Sequence, residues 1–166
     1  MEIKNNTIYT NDLVKEFLRV YYFDKVKTIR IIMNILIAVL VVRFFFLDNT
    51  TIDIITFIFS LFGIIELNTN MLPYTNYKRL EKRKDSILNT KIKYLFKEYN
   101  FMIDNGKEEY INYKDLYKVI ERNNTYYLYI NKYKAFIVSK EGISKNNIEK
   151  LSNNFKDKVS TYKYIK

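Results

Sequence analysis

The sequence predicts an α+β membrane protein: a two-helix transmembrane hairpin, then an antiparallel β domain closed by a C-terminal helix. Three observations predict it. Two apolar runs, Ile31 to Leu47 and Ile52 to Leu67, are separated only by Asp48-Asn49-Thr50-Thr51. The apolar period then shifts to two from about Lys91, as half-buried strands require. It returns to a helical spacing after Gly142.

Four segments follow from these shifts: 1–27, 28–68, 69–90 and 91–166. In the first, Ile3 to Thr10 reads as a short strand, and Asn11 or Asp12 caps a helix because their side chains accept from free N-terminal amides. Leu13, Val14, Phe17, Leu18, Tyr21 and Tyr22 recur on one face of that helix. The face packs either on the later domain or into a membrane interface. Acidic and basic residues are mixed here, and no small-x-small site follows the first apolar run, so no cleavable signal is expected.

The runs in 28–68 are apolar almost all round, unlike the one-sided helices of a soluble bundle. Their connection has no Lys or Arg, while both flanks are rich in them. The positive-inside rule then places both chain ends in the cytoplasm and Asn49 outside, giving a multi-pass cell-membrane protein. Folding the hairpin about residues 49–50 brings Arg43 within reach of Asp53, and Glu66 within reach of Arg30. With Asn34, these charges form either interfacial anchors or, in an oligomer, an ion path.

The segment 69–90 reads as a basic juxtamembrane helix. Lys78, Arg79, Lys82, Arg83 and Lys84 crowd seven positions and are candidate contacts to the anionic lipid of the inner leaflet. The basic surplus lies entirely beyond the hairpin: residues 68–166 carry 21 Lys/Arg against 11 Asp/Glu. A membrane accounts for that charge, so nucleic acid is not expected as a partner.

In 91–166, Ile92 to Phe96 and Tyr99 to Ile103 alternate loosely, and Asp104-Asn105-Gly106 marks a turn. Tyr110 to Tyr113, Asp115 to Glu121, Thr125 to Ile130 and Ala135 to Val138 continue the β pattern, with Asn123-Asn124 as a hairpin turn. Such a meander curls into a small barrel or sandwich. Ser144 or Asn146 then caps a helix with a stripe of Ile148, Leu151, Phe155 and Val159, suited to plugging an open sheet.

The chain has no His and no Cys, three Gly and one Pro. This excludes imidazole and thiol catalysis, Cys/His zinc sites, disulfides and a glycine-rich phosphate loop. Asp104, Glu108, Glu109 and Asp115 lie in expected turns and polar strand faces, where solvated acids are common. No catalytic, cofactor or metal residue is expected, and the chain is not read as an enzyme.

Two stretches carry a resemblance. Tyr110-Ile-Asn-Tyr113-Lys-Asp115-Leu116-Tyr-Lys-Val119 resembles the I-x-Y-x-D-I-x-K-V segment of YcxB-like bacterial membrane proteins. Tyr127-Leu-Tyr-Ile130 followed by Lys134-Ala-Phe-Ile-Val-Ser-Lys140 resembles their F-Y-L-Y-I and x-Q-A-F-I-L-P-K segments. Lys134 stands where the family often has Gln, and Ser139 where it often has Pro. The order of parts, an N-terminal strand and helix, two spans, a basic helix and a β-rich domain, matches as well, so the resemblance covers nearly the whole chain; it implies a pleckstrin-homology-like β domain with a C-terminal helix, and no catalytic residues. The function expected is a membrane-anchored cytoplasmic binding or scaffold module. The alternative is a small oligomeric transporter or channel subunit. The expected partners are the membrane, an unidentified protein and, as an open alternative, further copies of the chain.

Overall fold

The computed structural model describes residues 2–25, 27–46, 51–69, 71–83 and 86–165. In chain order it contains β1 (Ile3–Ile8), α1 (Asn11–Lys25), α2 (Lys27–Phe46), α3 (Thr51–Asn68) and α4 (Met71–Glu81). Then come β2 (Lys91–Phe96), β3 (Asn100–Asp104), β4 (Glu108–Asn112), β5 (Lys118–Glu121), β6 (Thr125–Tyr129) and β7 (Ala135–Ser139). The helix α5 (Lys145–Lys158) and the strand β8 (Tyr162–Tyr164) complete it. The class is α+β. The chain divides into two units, one of residues 1–13 and 87–166, the other of residues 14–86.

The first unit is built on two sheets, ordered β1-β2-β3-β4 and β7-β6-β5-β8. β1 reaches across the whole of segment 14–86 in sequence to pair antiparallel with β2, Ile3 opposite Phe96 and Ile8 opposite Lys91. Its inward positions are Ile3, Asn5 and Thr7. The two polar ones close the unit along a seam with β7. Asn5 Nδ2 donates to the Ser139 carbonyl (2.9 Å), and the Ser139 amide donates to Thr7 Oγ1 (3.0 Å). One step on, the Ile137 amide donates to the Tyr9 hydroxyl (2.9 Å), while the Tyr94 hydroxyl donates to the Ile137 carbonyl (3.0 Å). Side chains thus satisfy backbone groups that a strand ladder would otherwise have to serve.

Aromatic rings fill the interior. Tyr94, Phe96, Phe101 and Tyr113 stack in sequence at centroid separations of 5.7–6.0 Å. Phe155 from α5 meets Phe96, Tyr113 and Tyr126 edge-on at 6.2, 5.6 and 5.3 Å, the geometry that the ring quadrupole favours. The expected stripe does this work: Leu151, Phe155 and Val159 are buried and Ile148 is half-buried. Of the two proposed caps, Ser144 serves, its side chain accepting from the Asn147 amide. β6 is buried along its whole length, which explains why Tyr126-Tyr-Leu-Tyr129 reads as a continuous run instead of an alternation.

In the second unit α2 and α3 run antiparallel. Phe44 stacks on Phe57 (4.3 Å), Gly63 approaches Ile37, and Arg43 pairs with Asp53 at 3.1 Å. The Arg43–Asp53 approach expected from folding about residues 49–50 is therefore present. The expected Glu66–Arg30 approach and the placement of Asn49 fall outside the described residues and side chains. Arg30 itself lies over the Phe23 ring (4.6 Å).

The transmembrane hairpin needs correction. Among the described residues no helix is long and apolar enough to cross a membrane. Charges explain it. Arg30 and Arg43 leave twelve residues between them, and Asp53 and Glu66 leave another twelve. At ~1.5 Å rise each charge-free stretch is about 18 Å long, against a hydrocarbon layer of ~30 Å. The membrane-protein class, the multi-pass cell-membrane localisation with both ends cytoplasmic, and the transmembrane assignment are withdrawn with it.

Candidate interaction surfaces

α2 and α3 carry the largest apolar surface of the described residues. Ile37 and Ser60 are buried at their contact, but fifteen large apolar side chains are exposed, from Ile31 and Phe45 on α2 to Phe59 and Phe62 on α3. At ~100° per residue these span an arc of about 240° on α2 and about 160° on α3. A monomer in water rarely shows so much contiguous apolar surface. Arg43 stands at the end of α2 with its side chain 59% exposed, whereas Asp53 is 22% exposed. Arg43 therefore lies among the exposed apolar side chains of α2, with Phe45 exposed beyond it.

The expected basic cluster divides. Lys78 and Arg79 lie in the last turn of α4, where cations favour the negative end of the helix dipole. Lys82 and Arg83 follow the helix, and all four are exposed. Lys84 lies outside the described residues. Lys78 is engaged by Glu81 at 2.9 Å, and Glu81 also accepts from the Tyr77 hydroxyl at 3.1 Å. The hydrogen bond from Lys78 holds the Glu81 carboxyl below its usual range, and the same bond raises the Lys78 ammonium. Lys78, Arg79, Lys82 and Arg83 together make an exposed basic surface at the end of α4 and just beyond it. The helix expected over 69–90 is shorter, ending at Glu81.

α1 adds two cations that the sequence reading passed over. Lys15 and Arg19, one turn apart, line a cavity of about 320 Å³ with Glu16, Pro73 and Tyr74. Lys15 Nζ also lies 4.9 Å from the centre of the buried Tyr77 ring. The i, i+4 spacing of the two basic residues was the available signal.

In the first unit the acids considered for chemistry are spent on turns. Asp104 sits opposite Glu108 in the β3–β4 register, accepts from the Gly106 amide (3.0 Å) and pairs with Lys93 (3.2 Å). The Gly106 amide, then Lys93, lowers the Asp104 carboxyl below its usual value. Gly106 itself has a φ of 102°, a backbone that favours glycine. Asp115 accepts from Asn112 Nδ2 at 2.8 Å. Among the described residues no group of three or more acidic side chains is placed to hold a metal ion.

A buried polar network lies between sheet and helix instead. Lys140 Nζ meets Glu121 Oε1 at 2.5 Å, with the two side chains only 7% and 8% exposed. Lys140 also lies 4.5 Å from the centre of the Tyr126 ring, and the Tyr126 hydroxyl bonds Ser152 Oγ at 2.7 Å. The Tyr162 hydroxyl donates to the other oxygen of Glu121. Four elements, β5, β6, α5 and β8, are thereby joined to the end of β7. Glu121 falls in an alternating stretch and Lys140 beside a helix start, so neither has a sequence pattern marking it as buried. Only the fold brings them together.

No curated protein and no solved structure matches the chain. A family model described as YcxB-like protein matches residues 96–154. The match runs from the end of β2 into α5 and includes both stretches on which the resemblance was read. The N-terminal strand, the first helix and the apolar hairpin lie outside it. From Phe96 to Asn154 the chain is similar to that family.

Proposed function

We propose that this chain is a non-catalytic binding module attached to an anionic lipid surface by its apolar α2–α3 arm. The observation that carries the reading is the width of the exposed apolar arc. A protein partner covers one face of a helix pair. An arc of about 240° on α2 is matched better by a fluid apolar phase that closes round any contour. Arg79, Lys82 and Arg83 support the same reading, since a basic side chain near an anionic surface contributes ~1 kcal/mol of attraction. Arg43 is 59% exposed while paired with Asp53, and arginines at such surfaces lay their stems along apolar area and keep the charge in water. A transporter or channel subunit would require crossing helices, and that alternative is set aside.

The binding-module half of the reading rests on the β unit, with its YcxB-like segment, and on a composition with neither His nor Cys. Flotation of the full chain with vesicles tests the attachment. The chain should rise with vesicles containing phosphatidylserine and rise less with pure phosphatidylcholine. Arg79→Glu, Lys82→Glu and Arg83→Glu together should weaken flotation at least tenfold, and added salt should do the same. A chain that stays with the bottom fraction for both vesicle types contradicts the proposal.

A further inference from the structure

Among the described residues β8 is the shortest strand, and its pairing with β5 is the one parallel pairing: Tyr162, Lys163 and Tyr164 lie opposite Val119, Ile120 and Glu121. The Val119 amide donates to the Thr161 carbonyl (2.8 Å), and the Ile165 amide donates to the Glu121 carbonyl (2.9 Å). By the alternation of a parallel ladder, the Lys163 amide and carbonyl serve Val119 and Glu121 between them. Three paired residues hold this strand, against six for β1 on β2. Its side chains are half-buried or exposed, so it contributes little to the core.

What β8 covers is different in character. The outer edge of β5 presents Val119 and Ile120, both fully buried, and Glu121. The free edge of β4, by contrast, carries Glu108 and Glu109, charges that discourage strand pairing. The β5 edge carries one cation, Lys118, whose Nζ lies 4.5 Å from the centre of the Tyr129 ring. Its single acid is already fixed: Lys140 holds Glu121 Oε1 in the buried pair, leaving Oε2 to take a phenol from whatever strand lies alongside. The acceptor is thus built from β5 and β7 and does not depend on β8 for its position.

We infer that the β5 edge is a strand-docking surface, occupied in cis by residues 161–165, which takes an extended tyrosine-bearing segment of a partner protein in their place. The partner strand runs parallel to β5. Its tyrosine lies opposite Val119 and donates to Glu121, and backbone hydrogen bonds supply the rest of the recognition. The inference rests on reading the β unit as a binding module, and its test contains no lipid, so either claim can fail alone.

The probe is a fluorescent peptide, Thr-Tyr-Lys-Tyr-Ile-Lys, the sequence of residues 161–166. Full chains are compared by fluorescence anisotropy. Lys163→Pro removes the amide that serves Val119 and should release the β5 edge, so this variant should bind the peptide at least tenfold more tightly than the unaltered chain. Tyr162→Phe removes only the hydroxyl and should give a smaller gain, which keeps the test usable if the proline variant unfolds. A peptide with Phe at its first tyrosine should bind the released edge more weakly than the probe. Equal binding by all three chains, or no binding by any, overturns the inference. So does dimerisation of the variants that excess peptide does not reverse, since the edge would then serve exchange between copies.

Discussion

Two residue contacts decide the stability of the β unit. Phe155 is fully buried and touches three rings, so its loss leaves a cavity that stacked aromatics fill poorly. Phe155→Ala should cost about 3–5 kcal/mol in urea unfolding. A variant as stable as its parent would place that ring outside the core. The Lys140–Glu121 pair behaves differently. Lys140→Met strands a buried carboxylate and should cost about 3–5 kcal/mol, whereas Lys140→Met with Glu121→Gln should cost clearly less. A double-mutant cycle measures the difference, and purely additive effects would argue against the pairing. Burial also raises the hydroxyls of Tyr94 and Tyr9 above the usual phenol value. A raised folded value means that stability is intact below the unfolded value, near 10, and is lost as pH rises through the folded one. The seam of Tyr9 and Tyr94 with β7 should therefore open on strong alkali and stay closed at neutrality.

At the scale of elements, the β3–β4 hairpin should respond to acid. Asp104 has a lowered carboxyl value, so its contribution is present above the unfolded carboxylate value and disappears as pH falls through the folded one. Hydrogen exchange at the Gly106 amide should show protection at neutral pH and lose it in acid. Asp104→Asn should remove that pH dependence. The strands β2 to β7, the Asp104-Asn105-Gly106 turn and the helix α5 were legible because their apolar periods and turn residues are local signals. β8 was not, since Tyr162-Lys-Tyr164 is too short to show a period and is held by Glu121, 41 residues away. The partner of β1 was equally hidden: IKNNTI reads as a strand, but nothing local tells it to pair across the intervening helices. The apolar runs were legible as helices, and the Arg43–Asp53 approach as a pair. Their reading as a membrane crossing gave too little weight to Arg30, Arg43, Asp53 and Glu66, which shorten each charge-free stretch to twelve residues.

At the scale of the whole molecule, the β unit is discontinuous in sequence, because β1 precedes the helical segment and β2 follows it. A fragment of residues 87–166 lacks β1, leaves the β2 edge open and strips the Ile137 and Ser139 amides of Tyr9 and Thr7. It should fold poorly. Residues 1–13 joined by a short flexible linker to 87–166 should unfold cooperatively in urea with a β-rich spectrum. Equal stability of the two constructions would show that β1 is dispensable. The central claim joins this β unit to a lipid-seeking arm, and site-directed fluorescence tests it most directly, since the chain has no native Cys. An environment-sensitive dye is placed on Phe59→Cys in the arm or on Glu108→Cys at the β4 edge, both exposed positions. The account predicts a large blue shift at position 59 when phosphatidylserine vesicles are added, and no shift at position 108. No change at 59 with vesicles, or the same blue shift at 59 on concentrating the protein without lipid, would contradict it.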